Sequence, residues 1–154
     1  MKKNPEIFSE PMAAIYAEKI RQLRTRSCTI EVPERENDVG IFYTLLGIEL
    51  KVGRRRFACP DLATARYMRV FARLGCGSFA IPYDITRIST LADDLETAWQ
   101  RTLLILETNS AGLTDQQRKR RRSSLLKSIR SDIAEIGPGD KMPEFNQSTK
   151  QRNT

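Results

Sequence analysis

Residues 41–59 read Ile41-Phe42-Tyr43-Thr44-Leu45-Leu46-Gly47-Ile48-Glu49-Leu50-Lys51-Val52-Gly53-Arg54-Arg55-Arg56-Phe57-Ala58-Cys59, and the period of this stretch decides the fold. Leu46, Ile48, Leu50 and Val52 are apolar and alternate with Gly47, Glu49 and Lys51, the two-residue repeat of a strand with one buried and one wet face. Residues 41–52 are therefore expected to run as one strand. Gly53 and its arginine neighbours offer a turn, after which residues 56–59 return as an antiparallel partner.

Upstream, Cys28, Ile30 and Val32 alternate with Thr29 and Glu31, which predicts another short strand before residues 33–38 break the pattern. Residues 9–26 read as a helix, with Pro11 in the opening turn, where its missing N–H is harmless. Met12, Tyr16, Ile20 and Leu23 share its core stripe. Downstream, Pro60 and Asp61 open a second helix, which Gly75 closes where a left-handed cap is usual. Residues 78–81 form a short apolar strand, so the preceding strand, this helix and this strand make a candidate right-handed βαβ crossover. Thr90 with Asp93 suggests the start of a third helix reaching about residue 108. Thr114 with Gln117 makes a capping box for a fourth, ended by Gly137 and Pro138.

These elements predict an α+β fold: a small, mainly antiparallel sheet of about four strands with one βαβ crossover, helices mostly on one face, and a C-terminal helical pair. Residues 9–137 are expected to form one domain, between a flexible start (1–8) and a disordered polar tail (138–154). Leu104 lies among polar residues of the third helix, and the fourth is expected to fold back over it.

The chain has 154 residues, 40% of them hydrophobic, enough to bury a core. It contains no apolar run of membrane-spanning length and no signal-like opening, which points to a soluble, cytoplasmic protein without a membrane partner. With no histidine, mechanisms that use an imidazole base, ligand or pH switch are excluded. Cys28, Cys59 and Cys76 lie too far apart to supply the close ligand pairs of zinc or iron–sulfur sites and read as reduced structural thiols. Gly75, Gly77 and Ala80 fit a G-x-G-x-x-A string, but it ends a helix and opens a strand, the reverse of what pyrophosphate binding needs.

The net charge of +7 is unevenly held. Lys51, Arg54, Arg55 and Arg56 carry +4, and the block Arg118, Lys119, Arg120, Arg121 and Arg122 carries +5, so the rest of the chain is slightly acidic. Such clusters attract polyanions locally; the alternative is two solvated charge runs. On the second helix Arg66, Arg69 and Arg73 share one arc away from the apolar side, where they need either phosphate or a Glu or Asp on an adjacent element. On the fourth helix, the stripe of Leu125, Leu126, Ile129, Ile133 and Ile136 meets Arg118 and Arg122 when extended toward the N-terminus. Its first turns are therefore expected to project from the body, as a phosphate-binding arm or as a solvated helix start.

Glu49-Leu50-Lys51 on a strand, Asp38 upstream, and the order helix, strand, strand, strand, helix, strand across residues 9–82 resemble the core of the PD-(D/E)xK nucleases. The resemblance implies metal-assisted phosphodiester hydrolysis, with Asp38 and Glu49 as Mg²⁺ ligands and Lys51 positioning the attacking water. The other reading of the same residues is a cross-strand charge pair on the wet face, with no metal and no cofactor.

The leading expectation is a non-enzymatic, nucleic-acid-associated accessory protein. It would contact the phosphate backbone through Lys51, Arg54, Arg55, Arg56, Arg66, Arg69, Arg73, Arg118, Lys119, Arg120, Arg121 and Arg122. Aromatic residues are only 7% and fall mostly on core faces, so backbone contact is expected rather than base stacking. An adaptor docking an acidic protein through the same arginines is the alternative, and the Mg²⁺-dependent nuclease a second.

Overall fold

The computed structural model describes residues 11–32 and 38–139. In chain order they form α1 (Pro11–Ile15), a π-helical turn (Tyr16–Ile20), β1 (Thr25–Thr29), β2 (Val39–Thr44), β3 (Gly47–Val52), β4 (Arg55–Cys59), α2 (Leu62–Leu74), β5 (Ser78–Pro82), α3 (Ile85–Asn109) and α4 (Asp115–Ile136). The fold is α+β, with two antiparallel sheets: β2-β3-β4 and the pair β1-β5. The flexible start expected for residues 1–8, and all of the expected tail except Pro138 and Gly139, fall outside the described residues.

α2 is the central element. Asp61 caps it by accepting from the Thr64 N–H (2.8 Å), and Gly75 ends it at φ 86°, a left-handed conformation that a Cβ would strain. One side packs on the three-stranded sheet, which presents Leu50 and Val52 to it, and the other meets α3. Phe71 stacks on Phe79 of β5 at 4.5 Å and meets the ring of Tyr16 edge-on at 5.7 Å, so aromatic packing joins α2, β5 and the first helical segment.

Tertiary pairing shortens the first helix. Thr25 is buried and starts a strand against Pro82 of β5, so residues expected to end a helix are extended instead. The strand expected at residues 28–32 accordingly begins at Thr25. The π-turn, closed by the Arg21 N–H on the Tyr16 carbonyl (2.9 Å), keeps Tyr16 and Ile20 buried before the chain leaves the helix.

Residues 41–52 are a hairpin, not one strand. Leu45 and Leu46 form its turn, with Tyr43 opposite Ile48 and Thr44 opposite Gly47. The Thr44 hydroxyl accepts from the Leu46 N–H (3.1 Å) and donates to the Gly47 carbonyl (3.0 Å), and Gly47 takes φ 124°. Apolar turn residues hid this reversal from a reading based on polarity.

Three further expectations are corrected. The βαβ crossover is absent, because β4 and β5 belong to different sheets and β5 pairs antiparallel with β1. The one sheet expected is, among the described residues, two sheets, of three and two strands. The third helix starts at Ile85 rather than near Thr90, since Asp84 accepts from the N–H (3.0 Å) and hydroxyl (2.6 Å) of Thr86 and supplies an earlier cap. The fourth helix begins as expected, with both capping-box bonds formed between Thr114 and Gln117. α4 then packs on α1, the π-turn, α2 and β5, leaving Leu104 60% exposed rather than covered.

Strand edges are treated unequally. The Ala80 N–H of β5 donates to the Tyr16 hydroxyl (2.9 Å) and its carbonyl accepts from the Tyr67 hydroxyl (2.7 Å), so buried phenols satisfy the backbone on the side away from β1. The Tyr16 hydroxyl also donates to the Gly137 carbonyl (2.6 Å), which ties the end of α4 to this edge.

Candidate nucleic-acid interface

The structure sorts the predicted cations by what faces them. Arg66 donates from Nε and Nη2 to both oxygens of Glu96 (3.0 and 2.7 Å) and also reaches Asp93; Arg69 donates from Nη2 to Glu96 (3.0 Å). These two arginines are half-buried between α2 and α3, where the carboxylates answer a need that could equally have been met by phosphate. Their guanidinium groups hold the Glu96 carboxyl below its usual range, chiefly through the Arg66 hydrogen bonds, against the opposing effect of burial.

The hairpin group is also partly neutralised. Arg55 pairs with Glu31 (2.6 Å), and Arg56 pairs with Glu49 across β3 and β4 (3.3 Å). Lys51 and Arg54 have no ion-pair partner among the described residues. Glu49 thus takes the cross-strand charge-pair role on the wet face. Asp38 stands opposite Gly53, whose N–H it accepts with its carbonyl (2.9 Å), four residues along β3 from Glu49. At the strand rise this separates the two carboxylates by roughly 13 Å, too far to share one ion. Among the described residues no group of three or more carboxylates or thiols is placed to hold a metal.

Of the predicted cations, Arg73, Lys119 and Arg122 line one groove. Arg73, in the last turn of α2, faces Lys119, Arg122 and Arg130 of α4 across a space of about 360 Å³ floored by Val32, Leu74, Gly75 and Leu126. Four of the residues lining it are cations. A second groove on the other flank of α4 shares Lys119 and Arg122, adds Arg118, and is bordered by Leu103, Leu106 and Glu107 of α3. Between these flanks Arg121 donates from Nη1 to the Asn109 carbonyl (3.0 Å), fixing the start of α4 against the end of α3. Arg120 is exposed.

Arg130 was missed in the sequence because it lies within the apolar half of α4, yet Lys119, Arg122, Leu126 and Arg130 follow one face at three- and four-residue steps. Its Nη1 donates to the Leu74 carbonyl (3.2 Å) at the end of α2 and lies 2.7 Å from where a Gly75 Cβ would stand. Gly75 therefore does two things: it takes the left-handed cap and leaves room for this guanidinium.

Comparison with known proteins finds no match: no family model, no curated protein and no solved structure is similar to this chain.

Proposed function

We propose that this protein is a non-enzymatic, nucleic-acid-associated accessory protein that grips the phosphate backbone along α4. The supporting observation is the groove between α2 and α4, which Arg73, Lys119, Arg122 and Arg130 line together. Helix electrostatics adds to it. Arg118–Arg122 crowd the early turns of α4, the positive end of the helix dipole, where cations are disfavoured for stability and an anion is welcome. Guanidinium groups on a fixed helix face suit phosphate oxygens, and with few exposed aromatics this reading predicts little sequence discrimination.

An acidic protein segment is the second reading, favoured by the apolar floor of Val32, Leu74 and Leu126, which an amphipathic chain would cover and a sugar-phosphate backbone would not. We place the protein in the cytoplasm, a location in keeping with its free cysteines and with the absence, among the described residues, of any helix long and apolar enough to cross a membrane.

Titrating duplex and single-stranded DNA and RNA at several salt concentrations tests the reading. Binding is expected to weaken with salt, and Arg118→Glu with Lys119→Glu, both at exposed positions, is expected to lower the log–log salt slope by about 0.9 per lost duplex phosphate contact. No binding to any polymer at low salt would transfer the groove to an acidic protein partner.

A further inference from the structure

β2 is an edge strand with none of the usual protection. Among the described residues it pairs only with β3. The Gly53 N–H bond to Asp38 fixes which residues face inward in the alternating ladder: Asp38, Gly40, Phe42 and Thr44 bond toward β3. The N–H and C=O groups of Val39, Ile41 and Tyr43 therefore point outward along the open edge. From Val39 to Ile48 there is no charge and no proline, the two devices that ordinarily keep an edge from pairing. The opposite edge of the same sheet, β4, carries Arg55 and Arg56 and ends next to Pro60, while β5 is closed by tyrosine hydroxyls. Exposed apolar groups surround the unprotected edge: Tyr43 is 70% exposed, and Leu45 and Leu46 almost completely so. An isolated edge of this kind invites aggregation.

We propose that this edge is covered by a second copy of the same chain, through antiparallel β2–β2 pairing about a two-fold axis at Ile41. The pattern of side chains is self-complementary about that residue. An axis there sets Val39 against Tyr43 of the second copy and Gly40 against Phe42 of the second copy, and the reciprocal pairs follow by symmetry. Gly40 carries no side chain, so no two bulky groups stand opposite each other at the Gly40–Phe42 pairs. Each outward N–H and C=O gains a partner, and the result is one six-stranded sheet, with Arg55 and Arg56 at its two ends. Charge favours the same mode: two chains of net +7 repel over most of their surfaces but not along a neutral strand.

Light scattering and sedimentation on the full chain, in salt high enough to strip bound polyanion, test this. The expected species is a dimer of twice the 17.6 kDa chain mass. Tyr43→Lys, at an exposed position, puts a charge on the edge and is expected to give a monomer with an unchanged circular dichroism spectrum. Ile41→Pro removes an N–H that the β2–β3 ladder does not use and is likewise expected to give a monomer, at some cost in stability because the Ile41 side chain packs against the core. A wild-type chain that remains monomeric at every concentration from micromolar upward overturns the proposal, including the case in which an unrelated extended peptide protects the edge amides. A dimer that survives both substitutions overturns it as well.

Discussion

Glu96 is the residue on which the charge pattern of α2 turns. Its two oxygens receive three hydrogen bonds, from Arg66 Nε, Arg66 Nη2 and Arg69 Nη2, all within 3.0 Å. Without it, Arg66 keeps only Asp93 among the described residues, and Arg69, whose Nε is already buried without a partner, has no carboxylate left among them. Glu96→Gln is expected to cost about 1.5–3 kcal/mol at neutral pH, the range for hydrogen bonds to charged groups. The pH dependence has a definite sign. A carboxyl whose folded pKa lies below its unfolded value stabilises the fold above the ordinary glutamate range, and that contribution is lost as pH falls through the folded value. Urea denaturation of wild type and variant should therefore differ at pH 7 and converge at acid pH. An equal gap at both would trace the effect to packing rather than charge.

At the level of elements, the junction of α2 and α4 joins stability to the candidate site. Gly75→Ala forces a Cβ into a left-handed residue and into the space of the Arg130 guanidinium. The backbone term alone is about 1–2 kcal/mol, while the long arginine end can swing aside at small cost. Thermal or urea unfolding should show that loss, together with weaker polyanion binding as Arg130 leaves the groove. This junction was half legible in the sequence. Gly75 as a cap, Asp61 as the opening of α2 and the Thr114–Gln117 box were all readable, because each is fixed by local backbone chemistry. The β2–β3 turn was not, because Leu45 and Leu46 reverse the chain through a threonine hydroxyl and a glycine at positive φ without any polar signature of their own. Which strand β5 would join was equally hidden, since burial of Thr25 and pairing over more than fifty residues decide it, not local period. The arginine arc of Arg66, Arg69 and Arg73 was correctly seen as one face, but only packing separates the two that meet α3 carboxylates from the one that borders the groove.

For the molecule as a whole, ion pairing changes where the positive charge acts. Arg55, Arg56, Arg66 and Arg69 pair with carboxylates, while Arg73, Arg118, Lys119, Arg122 and Arg130 line the two flanks of α4, where the proposed polyanion would bind. A ligand that binds there needs α2 and α4 held together, and unfolding separates them. Binding to the folded state alone raises stability by RT ln(1 + [L]/Kd), about 2.7 kcal/mol at a hundredfold excess over Kd. A chain of this size shifts its melting point by roughly 2–4 °C per kcal/mol, which converts to an increase of about 5–10 °C. Duplex DNA at low salt is expected to produce that increase, added salt to abolish it, and Arg118→Glu with Lys119→Glu to reduce it without lowering the melting point of the unliganded protein. An acidic amphipathic peptide should give the increase in place of nucleic acid if the apolar floor of the groove is what the ligand covers. A melting point that neither ligand moves would mean that the cations flanking α4 serve only to solvate the helix.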